Sequence, residues 1–244
     1  MSKERMSAEA SPSSAQVSAW YDGWVSHQRG IGINARHRRI ARGARKAGYR
    51  DGMNVLEIGC GIGTVTSLLA RGNRSGSILA VDISPKSVEE ARRNLSGRGN
   101  VRFLVSDMSA FQVEQRFDFV VLPDVIEHIP LEQHPALFAT LARHLSPDAR
   151  VVINVPCAQL LEHLHLHDPS VLQVIDQPVH ADVLLRNAYA AGLVLETFES
   201  YGLQYTNTEY HFIVLRSAYV LAELRKRDPW VLRWEALRAK LGFL

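Results

Sequence analysis

The sequence Val55-Leu56-Glu57-Ile58-Gly59-Cys60-Gly61-Ile62-Gly63 decides the fold. An apolar run ends here in glycines at alternate positions, and residues 64–70 continue in a helical pattern. A strand that ends in glycines and leads directly into a helix lets the polar groups of a ligand approach backbone N–H groups near the positive end of that helix. The stretch therefore predicts a ligand-binding turn at the end of a strand.

Strand patterns recur along the chain, at residues 54–58, 78–83, 101–105, 117–122, 151–155, 193–198 and 210–215. The first five are separated by helical patterns and are apolar throughout rather than at alternate positions, which indicates a parallel sheet covered on both faces. The last two are joined without a helix, which indicates antiparallel neighbours. We therefore predict an α/β fold: a Rossmann-like, doubly wound, seven-stranded and mostly parallel sheet with an antiparallel C-terminal strand.

The sequence divides into four segments. Residues 1–16 are polar and predict a disordered tail, residues 17–50 predict an N-terminal helical lid, residues 51–216 form the α/β domain, and residues 217–244 predict a C-terminal helical extension. No apolar run approaches the roughly 18 to 20 residues that span a bilayer, and the N-terminus lacks the apolar core of a secretory signal. Two cysteines provide neither a disulfide framework nor a zinc spacing, so a cytoplasmic location is expected.

Residues 29–50 contain many arginines and no acidic residue. Such a run can meet phosphates, nucleic acid or another anionic partner. The alternative is the solvated face of one amphipathic helix, with Ile33, Ile40 and Ala44 directed inward. Both interpretations remain open at this stage.

An acidic residue, Asp82, follows Gly63 by about twenty residues at the end of the next strand, where a carboxylate can accept hydrogen bonds from ribose hydroxyls. A dinucleotide fingerprint G-x-G-x-x-G requires a third glycine at position 64 or 66, and both positions are threonine. The glycine spacing therefore disfavours a nicotinamide or flavin dinucleotide.

Residues 57–63 resemble motif I of the class I S-adenosylmethionine-dependent methyltransferases, E-x-G-C-G-x-G, at every fixed position. The similarity continues through Val81-Asp82-Ile83-Ser84, through Ser106-Asp107-Met108, and through Phe117-Asp118-Phe119-Val120 with the residues up to Ile129. The resemblance implies that Asp82 binds the ribose, that Asp107 binds the adenine amino group, and that the backbone near Leu122 and Pro123 lines the methionine end.

The resemblance implies S-adenosyl-L-methionine as cofactor and S-adenosyl-L-homocysteine as product. The residues expected to bind the cofactor are Tyr21, Glu57, Gly59, Cys60, Gly61, Gly63, Asp82, Ile83, Asp107, Met108, Leu122 and Pro123.

Methyl transfer from a sulfonium mainly requires alignment of donor and nucleophile, and a general base is needed only when the acceptor must lose a proton. The candidate catalytic residues are His128, His180 and Glu127. For His128 the alternative is local packing, because Glu-His-Ile is frequent at this position in the family. The histidine-rich residues 162–168 are expected to form a polar loop at the rim of the acceptor pocket, and no metal site is predicted.

One group of aromatic residues precedes the α/β domain in the sequence, and a second group lies near the C-terminal end of that domain. Trp20, Tyr21 and Trp24 are candidate lid and acceptor-pocket residues, or they pack as a hydrophobic staple on the core. The tyrosines Tyr201, Tyr205 and Tyr210 are expected to flank the mouth of the pocket or to cover the sheet edge.

We predict transfer of a methyl group to an oxygen, nitrogen or carbon nucleophile of a small molecule, with secondary metabolism as the suggested setting. The expected acceptor is anionic or aromatic, and the C-terminal helix is a candidate homodimer contact. A nucleic-acid methyltransferase is one alternative, although Leu122-Pro123-Asp124-Val125 stands where exocyclic-amine enzymes carry N-P-P-Y or D-P-P-Y. The other alternative is a protein that binds the cofactor without transferring its methyl group.

Overall fold

The computed structural model describes residues 12–220, 223–224 and 226–240. The strands are β1 (Asn54–Ile58), β2 (Ser77–Asp82), β3 (Val101–Val105), β4 (Phe117–Pro123), β5 (Leu145–Pro156), β6 (Leu193–Tyr201) and β7 (Tyr210–Ser217). The α-helices are α1 (Ser14–Ile31), α2 (Ala35–Lys46), α3 (Thr64–Ala70), α4 (Pro85–Asn94), α5 (His134–His144), α6 (Ala158–His167), α7 (Ala181–Ala190) and α8 (Pro229–Lys240). None of the helices in these ranges has the length and apolar character needed to cross a bilayer.

The strands form one sheet in the order β3-β2-β1-β4-β5-β7-β6. β7 runs antiparallel to both of its neighbours, and the other pairs are parallel. The predicted fold class is therefore confirmed. Because β1 has β2 on one side and β4 on the other, the strand order reverses at the carboxyl end of β1, and this is where open α/β sheets bind their ligands.

Two apolar clusters cover the two faces of the sheet. One contains Phe117, Phe138 and Leu184, and the other contains Ile40 and Phe212. The central strands are buried on both faces, as continuous apolar runs predict. Strand β3 differs because it lies at the sheet edge, where its residues are exposed or half-buried.

The N-terminal segments differ from the prediction. Helix α1 begins at Ser14, where Ser13 and Gln16 form a capping box, so the predicted tail of residues 1–16 is too long at its C-terminal end. Residues 1–11 of that tail lie outside the described part of the chain. The predicted lid of residues 17–50 is two helices, because Gly32 adopts a positive φ of 58° and Asn34 begins α2 as its N-cap.

The two N-terminal helices have different roles. Helix α2 packs against the sheet through the buried residues Ile40, Ala41 and Ala44, so it belongs to the core of the domain. Helix α1 buries Val17 and Val25 and lies over the carboxyl edge of the sheet. Only α1 can therefore act as a lid.

The C-terminal extension is less helical than predicted. Ser217 is the last residue of β7, and the described residues between it and Pro229 form neither helix nor strand. Helix α8 begins at Pro229, after Asp228 accepts a hydrogen bond from the backbone N–H of Trp230 at 2.8 Å. Proline favours the first turn of a helix, which explains why the helix begins there.

We predict opposite effects for two glycine-to-alanine substitutions in helices. In Gly43→Ala the new Cβ would lie 2.5 Å from the ring of Phe212, which is buried in the core between α2 and β7. Overpacking of this kind typically costs about 1 to 3 kcal/mol, more than the gain of about 1 kcal/mol in helix propensity. Urea unfolding should show a lower free energy of unfolding.

Gly23→Ala in α1 is the matched control, because no atom lies within 4 Å of its added Cβ. Its free energy of unfolding should rise by up to about 1 kcal/mol, the gain in helix propensity. Equal effects of the two substitutions would contradict the close packing of α2 on β7.

Candidate functional site

A cavity of about 380 Å³ opens at the carboxyl ends of the central strands. The turn after β1 and the ends of β2, β3 and β4 form its floor, α1 covers it, and α6 with the following loop forms the far wall. Its volume lies within the range of about 300 to 1,000 Å³ that is typical of small-molecule and cofactor sites.

The glycine turn allows a ligand to approach the backbone closely. Gly59 and Gly61 line the cavity with φ angles of 75° and 51°. A Cβ on Gly59 would lie 2.5 Å from Val125, and one on Gly61 would lie 2.9 Å from Gln28 of α1. Side chains are therefore excluded here both by conformation and by space.

Four amides of the glycine turn already have partners. The amides of Gly59 and Cys60 donate to the carbonyl of Val81 at 2.8 and 3.0 Å, and the amide of Gly63 donates to Cys60 at 2.9 Å. The amide of Gly61 donates to the Asp82 carboxylate at 2.7 Å. The N–H groups available to a ligand are therefore those of the first turn of α3, which has no side-chain cap and lines the cavity with Thr64 and Val65.

Asp82 lines the cavity beside this turn. One carboxylate oxygen accepts the Gly61 hydrogen bond, and the other accepts a hydrogen bond from the amide of Ser84 at 2.9 Å. Each oxygen keeps acceptor capacity for a ligand hydroxyl. Burial raises the pKa of Asp82, and its two backbone hydrogen bonds oppose that shift.

Glu57 is fully buried at the end of β1 and faces the same cavity. Thr66 is its polar neighbour, but neither carboxyl oxygen has a partner with full hydrogen-bond geometry. Burial raises the pKa of Glu57 to about 8, and the hydroxyl and the amide of Thr66 oppose that shift. A buried acid without a partner is costly unless a donor reaches it, so the structure fits a ligand that brings N–H donors or positive charge to this point.

Two further predicted residues lie at the end of β3. Asp107 and Met108 line the cavity, and Met108 adopts a positive φ of 68°. The Asp107 carboxylate accepts hydrogen bonds from the amide and hydroxyl of Ser109 at 3.0 and 2.7 Å. The Ser109 hydroxyl bond is the first cause of the lowered pKa of Asp107, which favours its charged form.

The structure places two predicted cofactor residues outside the cavity wall. Leu122 is fully buried in the first core cluster, because it points into the sheet face rather than along the strand end. Gly63 faces α4, where a Cβ would lie 2.7 Å from Leu95. The other predicted cofactor residues line the cavity, among them Tyr21, Cys60, Ile83 and Pro123.

Polar contacts hold α1 over the cavity. The hydroxyl of Ser18 donates to the carbonyl of Ile83 at 3.0 Å, and Asp22 accepts hydrogen bonds from the hydroxyl of Ser84 at 2.6 Å and from the amide of Lys86 at 3.0 Å. Toward the end of the helix, Arg29 forms a bidentate pair with Glu90 at 2.7 and 2.6 Å. Sequence reasoning missed these contacts, since nothing in the sequence relates α1 to α4.

His128 lies in a short 3-10 helix after β4 and lines the cavity. Its Nδ1 contacts the carbonyl oxygen of Ile175 and lies 3.2 Å from a carboxylate oxygen of Asp176. Because a carbonyl only accepts, Nδ1 carries the proton in the neutral ring and Nε2 keeps its lone pair. Burial lowers the pKa of His128, which favours this neutral form.

Two neighbours of His128 also line the cavity. Glu127 is buried, its Oε2 has no hydrogen-bond partner, and burial raises its pKa. The ring of Tyr21 from α1 packs edge-on against the imidazole with centroids 5.9 Å apart, and its hydroxyl is buried without a partner. The geometry brings together a potential proton acceptor, a neutral acid and a phenol.

The third candidate base, His180, does not line the cavity. It is half-exposed and lies 3.0 Å from Glu162 of α6. Residues 162–168, predicted as a loop, are helical up to His167, and the rings of His163 and His167 stack with centroids 4.2 Å apart. In the described residues no three His, Cys, Asp or Glu side chains have the arrangement of a metal site.

Three arginines of the basic run form internal ion pairs, Arg29 included, and the remaining basic residues lie on the exposed face of α2 and just after it, as the amphipathic-helix interpretation predicts. Arg36 lines the cavity with its Nε 3.0 Å from Asp124 and its Nη1 3.1 Å from the hydroxyl of Tyr210. Arg39 pairs with Glu199 at 2.5 Å. The sequence showed no acids near these arginines because their partners come from distant strands and loops.

The predicted aromatic residues divide between the cavity and the surface. Trp24 and Tyr210 line the cavity, and Trp20 stacks on Trp24 with centroids 4.8 Å apart. Tyr201 stacks on Tyr210 with centroids 5.5 Å apart, behind the wall. Tyr205 is exposed and lies outside the lining.

Comparison with known proteins gives a consistent picture. The family model for a methyltransferase domain matches residues 55–148. A trans-aconitate 2-methyltransferase of Methylobacterium nodulans is 30% identical over 182 residues, which cover 72% of this chain and 66% of that protein. A mitochondrial ubiquinone biosynthesis O-methyltransferase of Schizosaccharomyces pombe is 30% identical over 118 residues, which cover 47% of this chain and 42% of that protein.

Among solved structures, the magnesium protoporphyrin IX methyltransferase of Synechocystis with bound SAH is similar with a TM-score of 0.65 and 18% identity, covering 84% of this chain and 99% of that one. At this identity the likeness shows a shared fold. This chain spans 66% and 42% of the length of the two curated relatives, so they extend beyond the region of similarity.

We predict that Glu57 makes the ligand-free protein less stable as the pH rises. The folded protein holds the Glu57 proton up to a pKa of about 8, whereas an ordinary glutamate releases it near 4.5. Between these values the folded state binds more protons than the unfolded state, so the free energy of unfolding falls with rising pH. This fall amounts to at most about 1.4 kcal/mol per pH unit. The Glu57→Gln variant should lack it.

The measurement is urea unfolding of both proteins at several pH values between 5 and 8. Other titrating groups are shared and cancel in the difference between them. The exposed Glu132→Gln is the control and should follow the wild type. Parallel stability curves for Glu57→Gln and wild type would contradict the buried, unpartnered carboxyl.

Proposed function

Because the chain belongs to the class I S-adenosylmethionine-dependent methyltransferase family, we propose that it binds S-adenosylmethionine in the cavity and transfers the methyl group to a small molecule. The observation that carries the proposal is the pair of acids beside the glycine turn. Asp82 has acceptor capacity at the turn, and Glu57 has a buried carboxyl without a partner.

The residues present fit this cofactor. Asp82 can accept the ribose hydroxyls, and Asp107 with Ile83 and Met108 surrounds the position for the adenine. Glu57 can accept a hydrogen bond from the ammonium group of the methionine part, and the positive charge of that group favours the ionised carboxylate. Gly59, Cys60 and Gly61 let the cofactor lie against the backbone, and Tyr21 and Pro123 close the methionine end.

When bound, the cofactor supplies a methyl group already activated by a sulfonium sulfur. The residues of the chain then hold the acceptor in line and exclude water, and α1 with Tyr21 provides the cover. Nε2 of His128 is available to take a proton from an acceptor that must lose one, with Glu127 as the second candidate. His180 has no part in this proposal, because it lies outside the cavity lining.

The acceptor nucleophile is an oxygen, nitrogen or carbon atom. One relative named above is a trans-aconitate 2-methyltransferase, and the other is an O-methyltransferase of ubiquinone biosynthesis. Anionic and aromatic acceptors are therefore both candidates here. The internal pairing of Arg36 and Arg39 reduces the charge available to nucleic acid, and the remaining basic residues cover the solvent-exposed face of α2. A protein that binds the cofactor without transfer differs from this proposal in producing no methylated product.

We also propose, for the assembly, that two chains associate through α8. Its residues Trp230 and Trp234 are 75% and 63% exposed, which is unusual for large apolar side chains. A cytoplasmic location stays a prediction from cysteine usage.

We predict that Asp82→Asn weakens the binding of both S-adenosylmethionine and S-adenosylhomocysteine. The substitution removes the charge that accepts the ribose hydroxyls, and charge-assisted hydrogen bonds of this kind contribute about 1.5 to 3 kcal/mol, roughly 10- to 100-fold in Kd. Calorimetric titration of the purified chain with each ligand measures the effect.

Asp118→Asn is the matched control, because Asp118 lies near the start of β4, at the opposite end of the strands from the cavity, and accepts a hydrogen bond from the amide of Asn54. It should bind both ligands as the wild type does. If the wild type bound neither ligand, the proposed cofactor would be wrong. Transfer itself is tested with methyl-labelled cofactor, since binding without any labelled product would favour the alternative.

A further inference from the structure

We infer that the acceptor has an apolar body and a hydroxyl group and carries no anionic group, and that Asp176 positions His128 to take the hydroxyl proton. This inference rests on the proposed function, because it concerns the half of the cavity that the cofactor does not occupy.

The acceptor half of the cavity has an apolar wall. It is formed by Trp24, Ile31, Leu160, Leu164, Val171 and Leu172. Ile31 and Val171 are 48% and 55% exposed at the rim. Covering such side chains stabilises a complex by about 25 cal/mol per Å² of apolar surface, so this wall favours an acceptor with an apolar body.

The charged groups in this half already have partners. Of the residues lining the cavity, all of which belong to the described chain, Arg36 alone carries a permanent positive charge. It lies 3.0 Å from Asp124, whose other oxygen accepts a hydrogen bond from Asn154 at 2.6 Å. An anionic acceptor would compete with Asp124 for this arginine, and it would also meet Glu127 and Asp176 nearby.

The charged groups of this half leave an excess of negative charge. Asp124 and Asp176 provide two carboxylates against the one guanidinium of Arg36, and His128 is neutral. One oxygen of Asp176 lies 3.2 Å from Nδ1 of His128, and the other accepts a hydrogen bond from the amide of Gln173 at 2.7 Å. Glu127 is buried beside these acids, and its surroundings favour the uncharged carboxyl. An anionic acceptor would add to this negative charge, which favours an acceptor without an anionic group.

The arrangement around His128 suits an acceptor that must lose a proton. The carbonyl of Ile175 fixes the Nδ1–H tautomer, so Nε2 keeps its lone pair, and Oε1 of Glu127 lies 3.7 Å from it. In the step, the hydroxyl oxygen forms a bond to the methyl carbon, the carbon–sulfur bond breaks, and its electron pair stays on the sulfur of S-adenosylhomocysteine. The hydroxyl proton moves to Nε2, so the positive charge lost by the sulfonium becomes that of the imidazolium.

Asp176 acts on this step through His128. A carboxylate 3.2 Å from Nδ1 stabilises the imidazolium form that the transfer creates and holds the ring in its orientation. Asp176 comes from the loop after α6, and α6 itself carries the apolar wall residues Leu160 and Leu164. One segment of the chain thus contributes both to the recognition of the apolar body and to the activation of the hydroxyl.

The first experiment compares three probes that share one apolar body. The full chain, saturated with S-adenosylhomocysteine, is titrated with 2-naphthol, 2-naphthoate and 2-naphthylmethylamine at neutral pH. We expect 2-naphthol to bind at least about tenfold more tightly than 2-naphthoate, since the carboxylate must be desolvated beside Asp124 and Asp176. 2-Naphthylmethylamine should also bind more tightly than 2-naphthoate, because the excess negative charge does not repel an ammonium. Equal or tighter binding of 2-naphthoate than of 2-naphthol would overturn the inference.

Two leucines of α6 provide a matched pair for the same titration. Leu164→Ala removes apolar surface from the cavity wall and should weaken 2-naphthol binding about 5- to 20-fold. Leu166→Ala changes a side chain that is 79% exposed and outside the cavity, and it should have no effect. Affinity for S-adenosylhomocysteine should be the same in both variants. If the wild type did not bind S-adenosylhomocysteine, the proposed function itself would fail, which separates the two failures.

The second experiment measures methyl transfer from labelled cofactor to hydroxylated aromatic probes. His128→Ala should lower kcat by about 100-fold or more, and Asp176→Asn should lower it by about tenfold with an unchanged KM, because Asp176 acts only through the imidazole. Glu162→Gln, next to His180 and outside the cavity, is the control. Preferred transfer to 2-naphthoate or trans-aconitate over the hydroxylated probes would overturn the inference. A change in KM for Asp176→Asn as large as the fall in kcat would also overturn it.

Discussion

The carboxylate of Asp82 is the contact on which the rest of the structure depends. Its two oxygens accept hydrogen bonds from the amides of Gly61 and Ser84, so one side chain joins the turn after β1 to the start of α4. Ser84 in turn donates to Asp22, which connects the same point to α1 above the cavity. The floor and the cover of the cavity are therefore held together at the carboxyl end of β2. A buried polar network of this kind is stable only when its members are satisfied.

The sequence predicted the fold and the floor of the cavity because both depend on short-range patterns. Continuous apolar strands indicated a sheet covered on both faces, and the glycines with Asp82 and Asp107 marked strand ends that meet at one edge. Gly63 and Leu122 lie outside the cavity lining for a different reason. A motif gives the order of residues but not the face to which each one points, and the structure directs both away from the cavity.

The cover and the far wall could not be predicted in the same way. Asp124 neutralises Arg36 from a strand end far away in the sequence, and Asp176 reaches His128 from a loop without a distinctive pattern. The run of arginines therefore looked like a site for anions, and the histidines at residues 162–168 looked like a polar loop. Both interpretations counted charges along the chain, whereas the structure pairs them across it. Segments outside the sheet determine these pairings, and the same segments line the acceptor half of the cavity.

The mode of attachment of α1 has a kinetic consequence. The helix buries only two apolar side chains and is held mainly by polar contacts, among them an ion pair in which the arginine is 49% exposed. Exposed ion pairs weaken as the ionic strength rises, because mobile ions screen the attraction between the charges, with a screening length of about 10 Å at 0.1 M salt. The same helix covers both halves of the cavity. We therefore expect movements of α1 to affect the exchange of both ligands and to become easier as the salt concentration rises.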